Sequence, residues 1–211
     1  MRTPDNHRNL TSSDGGESFT LPGAELLYCA NFLSHSEADA SLLKLGVEVP
    51  WTQHRIRLFG RFIDSPRLSS WHGDAGARYR YSGSVYEPLG WTPTLGHLRE
   101  MLQIKLNERF NSVLCNRYRD GRDSMGWHAD DEPELGPTPV IASLSLGATR
   151  RFDLKRRDRV GRSVKLELTN GSLLVMRGAT QSHWLHQLPK TNAEVGERIN
   201  LTFRLIVKPS A

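Results

Sequence analysis

From Arg198 to Leu205 the chain alternates without a slip. Arg198, Asn200, Thr202 and Arg204 hold one parity; Ile199, Leu201, Phe203 and Leu205 hold the other. Successive side chains of a strand point to opposite faces, so eight residues in this pattern read as a half-buried β-strand. Its polar face sets two guanidiniums in line with an amide and a hydroxyl. Turned outward, that row is an ordinary solvated surface. Turned inward, it suits a dicarboxylate, because arginine forms bidentate, charge-assisted pairs with carboxylates. Alternation alone does not choose between the two. Asn116 and Tyr118 follow the same parity logic just before the Asp120-Gly121 turn, and would add an amide and a phenol to such a cavity.

Strand signals dominate after Asn111, with runs at 112–118, 139–146, 150–155, 163–168, 172–176 and 198–207. The turn Asp158-Arg159-Val160-Gly161 reads as the tip of a hairpin whose basic residues are Lys155, Arg156, Arg157, Arg159 and Arg162. That tip is either a solvated hairpin or a loop that grips phosphates. Upstream, Ser34 and Glu37 form a capping-box signature for a helix running to about Leu45, with Leu33, Leu42, Leu43 and Leu45 as its apolar contacts. Gly46 and Pro50 are expected to end it. Thr94 is expected to cap a second helix through about Phe110, with Leu95, Leu98, Leu102, Ile104 and Leu106 on its apolar face. Strand-like pieces fall near 55–59 and 78–81. The order implies a mainly β fold with flanking helices: an N-terminal α/β lid, about 50–92, before a double-stranded β-helix (jelly roll), about 112–208. The 211 residues suffice for one domain with a proper core, expected over 21–211 after a polar, disordered tail at 1–20.

Net charge of +5 and a pI near 9.5 are compatible with a polyanionic partner without selecting one. Cys29 and Cys115 are isolated thiols with no zinc or disulfide spacing, which points to a reduced compartment. No secretory core or membrane-length apolar run is present. The expectation is a monomer without a membrane partner, intracellular: cytoplasmic if bacterial, nuclear if eukaryotic.

Trp127-His128-Ala129-Asp130-Asp131-Glu132 carries the second signal. Gly126 before it and the acidic pair after it suggest a strand end entering a loop. Residues i and i+2 of a strand share a face, so His128 and Asp130 can reach one ion together. With a distant second histidine they make the 2-His-1-carboxylate set of a non-haem iron site, which leaves positions open for a bidentate cosubstrate and O2. Both His183 and His186 follow the strand-like run 171–176. His186, before Gln187-Leu188-Pro189, is favoured as third ligand, and His183 is left as a polar wall or hydrogen-bonding residue.

Asn116-Arg117-Tyr118-Arg119-Asp120-Gly121, His128-x-Asp130-Asp131-Glu132, Ala142-Ser143-Leu144-Ser145-Leu146-Gly147, His183-Trp184-Leu185-His186 and Arg198-x-Asn200-Leu201-Thr202-Phe203-Arg204 together resemble the AlkB family of Fe(II)/2-oxoglutarate-dependent dealkylating dioxygenases. Order and spacing hold from about Phe59 to Ile206, about 70% of the chain. The likeness is greatest to the vertebrate nuclear repair form and similar bacterial proteins. It implies Fe(II), 2-oxoglutarate and O2 as cofactor and cosubstrates, with His128, Asp130 and His186 as ligands. It implies Arg204 on the distal carboxylate of 2-oxoglutarate, with Arg198, Asn200, Thr202, Asn116 and Tyr118 lining that pocket. Asp131 and Glu132 resemble acidic residues near the substrate base, and Gly73–Gly76 with 79–83 resembles a nucleotide-recognition lid in which Tyr81 stacks on a flipped base. Tyr79, Arg67, Arg61 and the Leu58-Phe59-Gly60 hairpin complete the implied substrate contacts. Ala129, Leu185 and Arg61-Phe62-Ile63 depart from the vertebrate form. The implied reaction hydroxylates N-linked alkyl groups of 1-methyladenine, 3-methylcytosine or etheno adducts in DNA, flipped out of the stack, with aldehyde release. RNA, a protein or a small molecule under the same chemistry, and a non-catalytic nucleic-acid-binding jelly roll, are the alternatives.

Overall fold

Strand parity decides the layering of this molecule. The computed structural model describes residues 16–58, 60–81 and 84–207. Its largest sheet runs in the order β1 (Gly16–Leu21), β2 (Ala24–Cys29), β13 (Leu173–Arg177), β10 (Ile141–Gly147), β15 (Arg198–Arg204), β8 (Ser112–Tyr118) and β5 (Leu68–Gly73). A second sheet has the order β12 (Val164–Leu168), β11 (Arg150–Arg156), β14 (Trp184–Leu188) and β9 (Met125–His128). Every strand pairing within both sheets is antiparallel. Two hairpins stand outside them: β3 (Arg55–Leu58) with β4 (Arg61–Asp64), and β6 (Tyr79–Tyr81) with β7 (Ser84–Tyr86).

One apolar cluster gathers Leu144, Leu146, Leu173, Val175, Ile199, Leu201 and Phe203 with Leu45, Leu95, Leu98 and Leu102 from helices α1 (His35–Glu48) and α2 (Pro93–Leu106). The other gathers Ile141, Leu174 and Met176 with Phe152, Leu154, Leu168 and Trp184 of the second sheet. Consecutive residues of β13 thus enter different cores, as the two-residue period requires. The large sheet is covered by helices on one face and by the second sheet on the other, the jelly-roll arrangement. For β15 this corrects the expectation of a half-buried strand: both its faces are buried.

Several local expectations shift. Residues 16–20, assigned to the tail, belong to β1, which pairs along its length with β2; residues 1–15 lie outside the described residues. The Ser34–Glu37 capping box is present, but α1 passes through Gly46 to Glu48, and Leu43 is exposed. For α2 the cap is Thr92 rather than Thr94, because Thr92 accepts the Leu95 N–H and Pro93, lacking a donor, suits the first helical position. It ends at Leu106, with Asn107 in the left-handed region, and Ile104 points to solvent. The lid range is also divided, since β5 within it is the outer strand of the large sheet. No helix among the described residues is long and apolar enough to cross a membrane.

Candidate active site

The inward row of β15 faces the space between the sheets. Arg198 stands opposite Tyr118, and Asn200 lies between Asn116 on β8 and Ser145 on β10. Arg198 is 1% exposed. Its guanidinium donates to Ser145 Oγ at 2.9 Å and to Asn200 Oδ1 at 2.8 Å, and lies over the Tyr118 ring. Asn200 also accepts from Ser143 Oγ and donates to Thr202 Oγ1, so the row is wired along the strand. Burial pulls the Arg198 pKa down to about 10, which leaves it cationic at neutral pH. Among the described residues no carboxylate pairs with it, and its Nε is buried without a hydrogen-bond partner.

At the other end of the row, β9 and β14 bring the histidines together. His128 is the cross-strand partner of His186, and their ring centroids lie 4.2 Å apart. Asp130, two residues beyond His128 in the loop, points its Oδ2 to within 3.9 Å of His186 Nε2. Ligand-type atoms of His128, Asp130 and His186 all lie within 4.8 Å of one another. The Gly126 carbonyl accepts from His128 Nδ1, which leaves Nε2 with its lone pair for a metal. Burial, with His128 alongside, pulls the His186 pKa down to about 3, so its imidazole is neutral and able to ligate. Phe152 stacks on that ring. Burial alone would raise the Asp130 pKa; Arg204, then His186 and His128, outweigh it and hold the group below the usual carboxylate range. His183 is exposed at the end of the single-turn helix α3 (Thr180–His183), away from this cluster.

The structure therefore gathers His128, Asp130, His186, Asn116, Tyr118, Arg198, Asn200, Thr202 and Arg204 around one cavity. Arg204, expected at a distal carboxylate, donates to Asp130 Oδ1 and so lies at the His–Asp–His end of the cavity, while Arg198 bonds Ser145 at the other end of the row. Arg67, expected to contact substrate, donates through Nε to Asn116 Oδ1. Asp131 is ion-paired with Arg157 at the rim, and Glu132 is half-buried; neither lines the cavity. Among the five expected phosphate-gripping residues, Arg157 is thus committed to Asp131, and Arg156 to Asp158 and the Pro22 carbonyl. Lys155 lies over the Trp127 ring, while Arg159 and Arg162 stand exposed. Phe59, Ser82 and Gly83 lie outside the described residues. The backbone of β6 places Tyr79 opposite Tyr86 and Tyr81 opposite Ser84. Gly60 has a φ of +78° at the β3–β4 turn, beside Arg61.

Sequence reading missed Ser143 and Ser145, which bond Asn200 and Arg198 respectively, and the apolar wall of Leu114, Met125, Phe152, Met176 and Leu188. Two serines at period two in the otherwise apolar β10 were the signal that could have found the first pair. A family model described as the 2OG-Fe(II) oxygenase superfamily matches residues 25–204.

The chain belongs to this superfamily.

It is 41% identical over 184 residues to rat "Alpha-ketoglutarate-dependent dioxygenase alkB homolog 3", covering 83% of this chain and 62% of that protein. The chain therefore spans somewhat under two thirds of that relative's length. It is 39% identical over 204 residues to human "DNA oxidative demethylase ALKBH2", covering 91% of this chain and 78% of that protein. The solved structure of OsALKBH1 superposes with a TM-score of 0.61 at 17% identity, over 89% of this chain and all of that one, a likeness of fold.

The residues fit both groups that the superfamily's name carries. Three clustered N/O ligands suit Fe(II). The orphaned Nε atoms of Arg198 and Arg204 suit the two ends of a dicarboxylate, since an unpaired buried polar atom costs about 1–3 kcal/mol until an acceptor arrives.

Proposed function

We propose that this chain is an Fe(II)- and 2-oxoglutarate-dependent dioxygenase that removes N-linked alkyl groups from DNA bases. The observation that carries the reading is Arg198, a buried cation whose hydrogen-bond partners among the described residues are neutral, at the end of a polar row that leads to the His–Asp–His cluster. His128, Asp130 and His186 hold the iron; Arg198 takes the distal carboxylate of 2-oxoglutarate. When bound, iron, 2-oxoglutarate and O2 supply an oxidant that hydroxylates a C–H bond, with succinate and CO2 as co-products.

The chain's own residues do the rest. Ser145 and Asn200 fix the direction of the Arg198 guanidinium, Arg204 secures Asp130, and Phe152 stacks on the His186 ring. Arg67, through Asn116, couples the β4–β5 connection to the cosubstrate wall. A base must leave its stack to reach a site between two sheets. Cationic N1-alkyladenine and N3-alkylcytosine pair poorly and flip at lower cost, and Asp131 and Glu132, next to the ligand Asp130, are proposed as the acidic residues near such a base. Tyr81, Tyr79, Arg61, Gly60 and Phe59 are proposed as the base- and duplex-contacting face. The relatives named as DNA demethylases support DNA as substrate. The enzyme acts on it as an intracellular monomer.

The test is a panel of oligonucleotides carrying 1-methyladenine, 3-methylcytosine or an etheno adduct, as single- or double-stranded DNA and as RNA, with iron, 2-oxoglutarate and ascorbate. Expected are mass losses matching dealkylation with stoichiometric succinate on DNA, and none with His128→Ala. Repair confined to RNA would replace the substrate assignment, and turnover by His128→Ala near wild type would overturn the metal assignment.

A further inference from the structure

Asp130 lies beyond the end of β9, outside the hydrogen-bonding of the sheet, yet its carboxylate must be held within a few ångströms of His186. Its backbone N–H donates to Gln181 Oε1 at 2.9 Å. Gln181 is 2% exposed on α3, the single turn that leads directly into β14 and His186. The other end of this amide donates to Met176 Sδ at 3.4 Å, a weak acceptor. Burying a glutamine for one good hydrogen bond is costly where an apolar side chain would pack without penalty. A second tie runs alongside: Arg157 donates to the backbone carbonyl oxygen of Gln181 at 3.1 Å and to the Asp131 carboxylate. The ligand loop is thus fastened to α3 through two adjacent residues, and Gln181 is five residues before the second histidine.

We propose that Gln181, braced by Arg157, is a positioning residue that sets the metal affinity of the site by fixing Asp130 relative to His186. The inference rests on His128, Asp130 and His186 being the metal ligands. Residues that orient ligands from behind are worth about 10–100-fold in metal affinity. Arg157 is accordingly part of the metal site's scaffold rather than a phosphate contact.

The experiment titrates the full chain with Mn(II) without 2-oxoglutarate, reading free Mn(II) by EPR, beside thermal melts of the metal-free proteins. Gln181→Met removes the acceptor at near-constant volume and raises Kd at least about tenfold. Gln181→Glu keeps an acceptor oxygen at the same reach and restores Kd to within about threefold of wild type. Arg157→Gln, a change at a partly exposed position, raises Kd by about threefold or more. A folded Gln181→Met protein with wild-type Kd overturns the proposal, as does a lowered melting temperature without loss of affinity. Should Gln181→Met fail to fold, an unchanged Kd in Arg157→Gln overturns it instead. His186→Ala separates the two levels: if it binds Mn(II) as wild type does, the ligand assignment itself fails and this inference with it.

Discussion

Two arginines six positions apart on one strand do different work, and their surroundings show which does what. Arg204 is matched by Asp130, whereas Arg198 is buried against a phenol, a hydroxyl and an amide. An uncompensated buried cation is a cost that its anion removes. Arg198→Met is therefore expected to weaken 2-oxoglutarate binding to the Mn(II)-loaded protein by about 100-fold or more, as loss of one partner in a buried charge pair costs about 2–5 kcal/mol. The ligand-free variant should melt no lower than wild type, and Mn(II) affinity should hold. Calorimetric titration and a melt check all three; a clear loss of stability in the ligand-free state would show that Arg198 is structural. The composition of this row was legible from alternation alone. Which arginine faces which end was not, because parity assigns a face but not a depth, and because Asp130 reaches Arg204 across 74 positions of sequence.

At the scale of elements, long patterned segments were legible, as were the short strands β3 and β6, but β9 and α3 were not. β8, β10, β13 and β15 announce themselves because they are buried on both faces or alternate cleanly. β9 is four residues with an exposed Gly126-Trp127 centre, and α3 is one turn, so neither offers a period to read. β1 needs little apolar content because it borders the large sheet at its edge. Turn chemistry is more exacting. Gly147, at the end of β10, has a φ of +84° and is the register partner of Arg198. A Cβ added there would collide with the Glu197 carbonyl oxygen. Gly147→Ala is expected to destabilise the fold by at least about 2 kcal/mol, from left-handed strain together with that collision. Urea unfolding measures it, and a loss under half that size would mean the turn relaxes at little cost.

For the whole molecule, the sequence's +5 charge says less than its distribution. Of the five basic residues expected at the β11–β12 hairpin tip, Arg156 and Arg157 are ion-paired within the molecule, which leaves Lys155, Arg159 and Arg162 to meet phosphates. Replacing these three with glutamine is expected to weaken binding of all duplexes alike and to flatten the log Kd against log salt slope by about 2–3, since each phosphate that a cation neutralises adds about 0.9 to that slope. Fluorescence anisotropy over a salt series reads it; an unchanged slope places the phosphate path elsewhere. The two-layer architecture was legible from strand count and order, while the placement of charge was not, since ion pairs such as Arg157 with Asp131 join segments that no local pattern links.

The second sheet ends at β9, so one histidine of the cluster rides on an edge strand and its partner on an inner one. A metal held by both acts as a cross-link: it closes a loop between positions 128 and 186 and staples a border that would otherwise fray. Filling the site should slow amide exchange along Met125–His128 well before it affects β15, which makes occupancy a mechanical state of the barrel's rim as well as a chemical one.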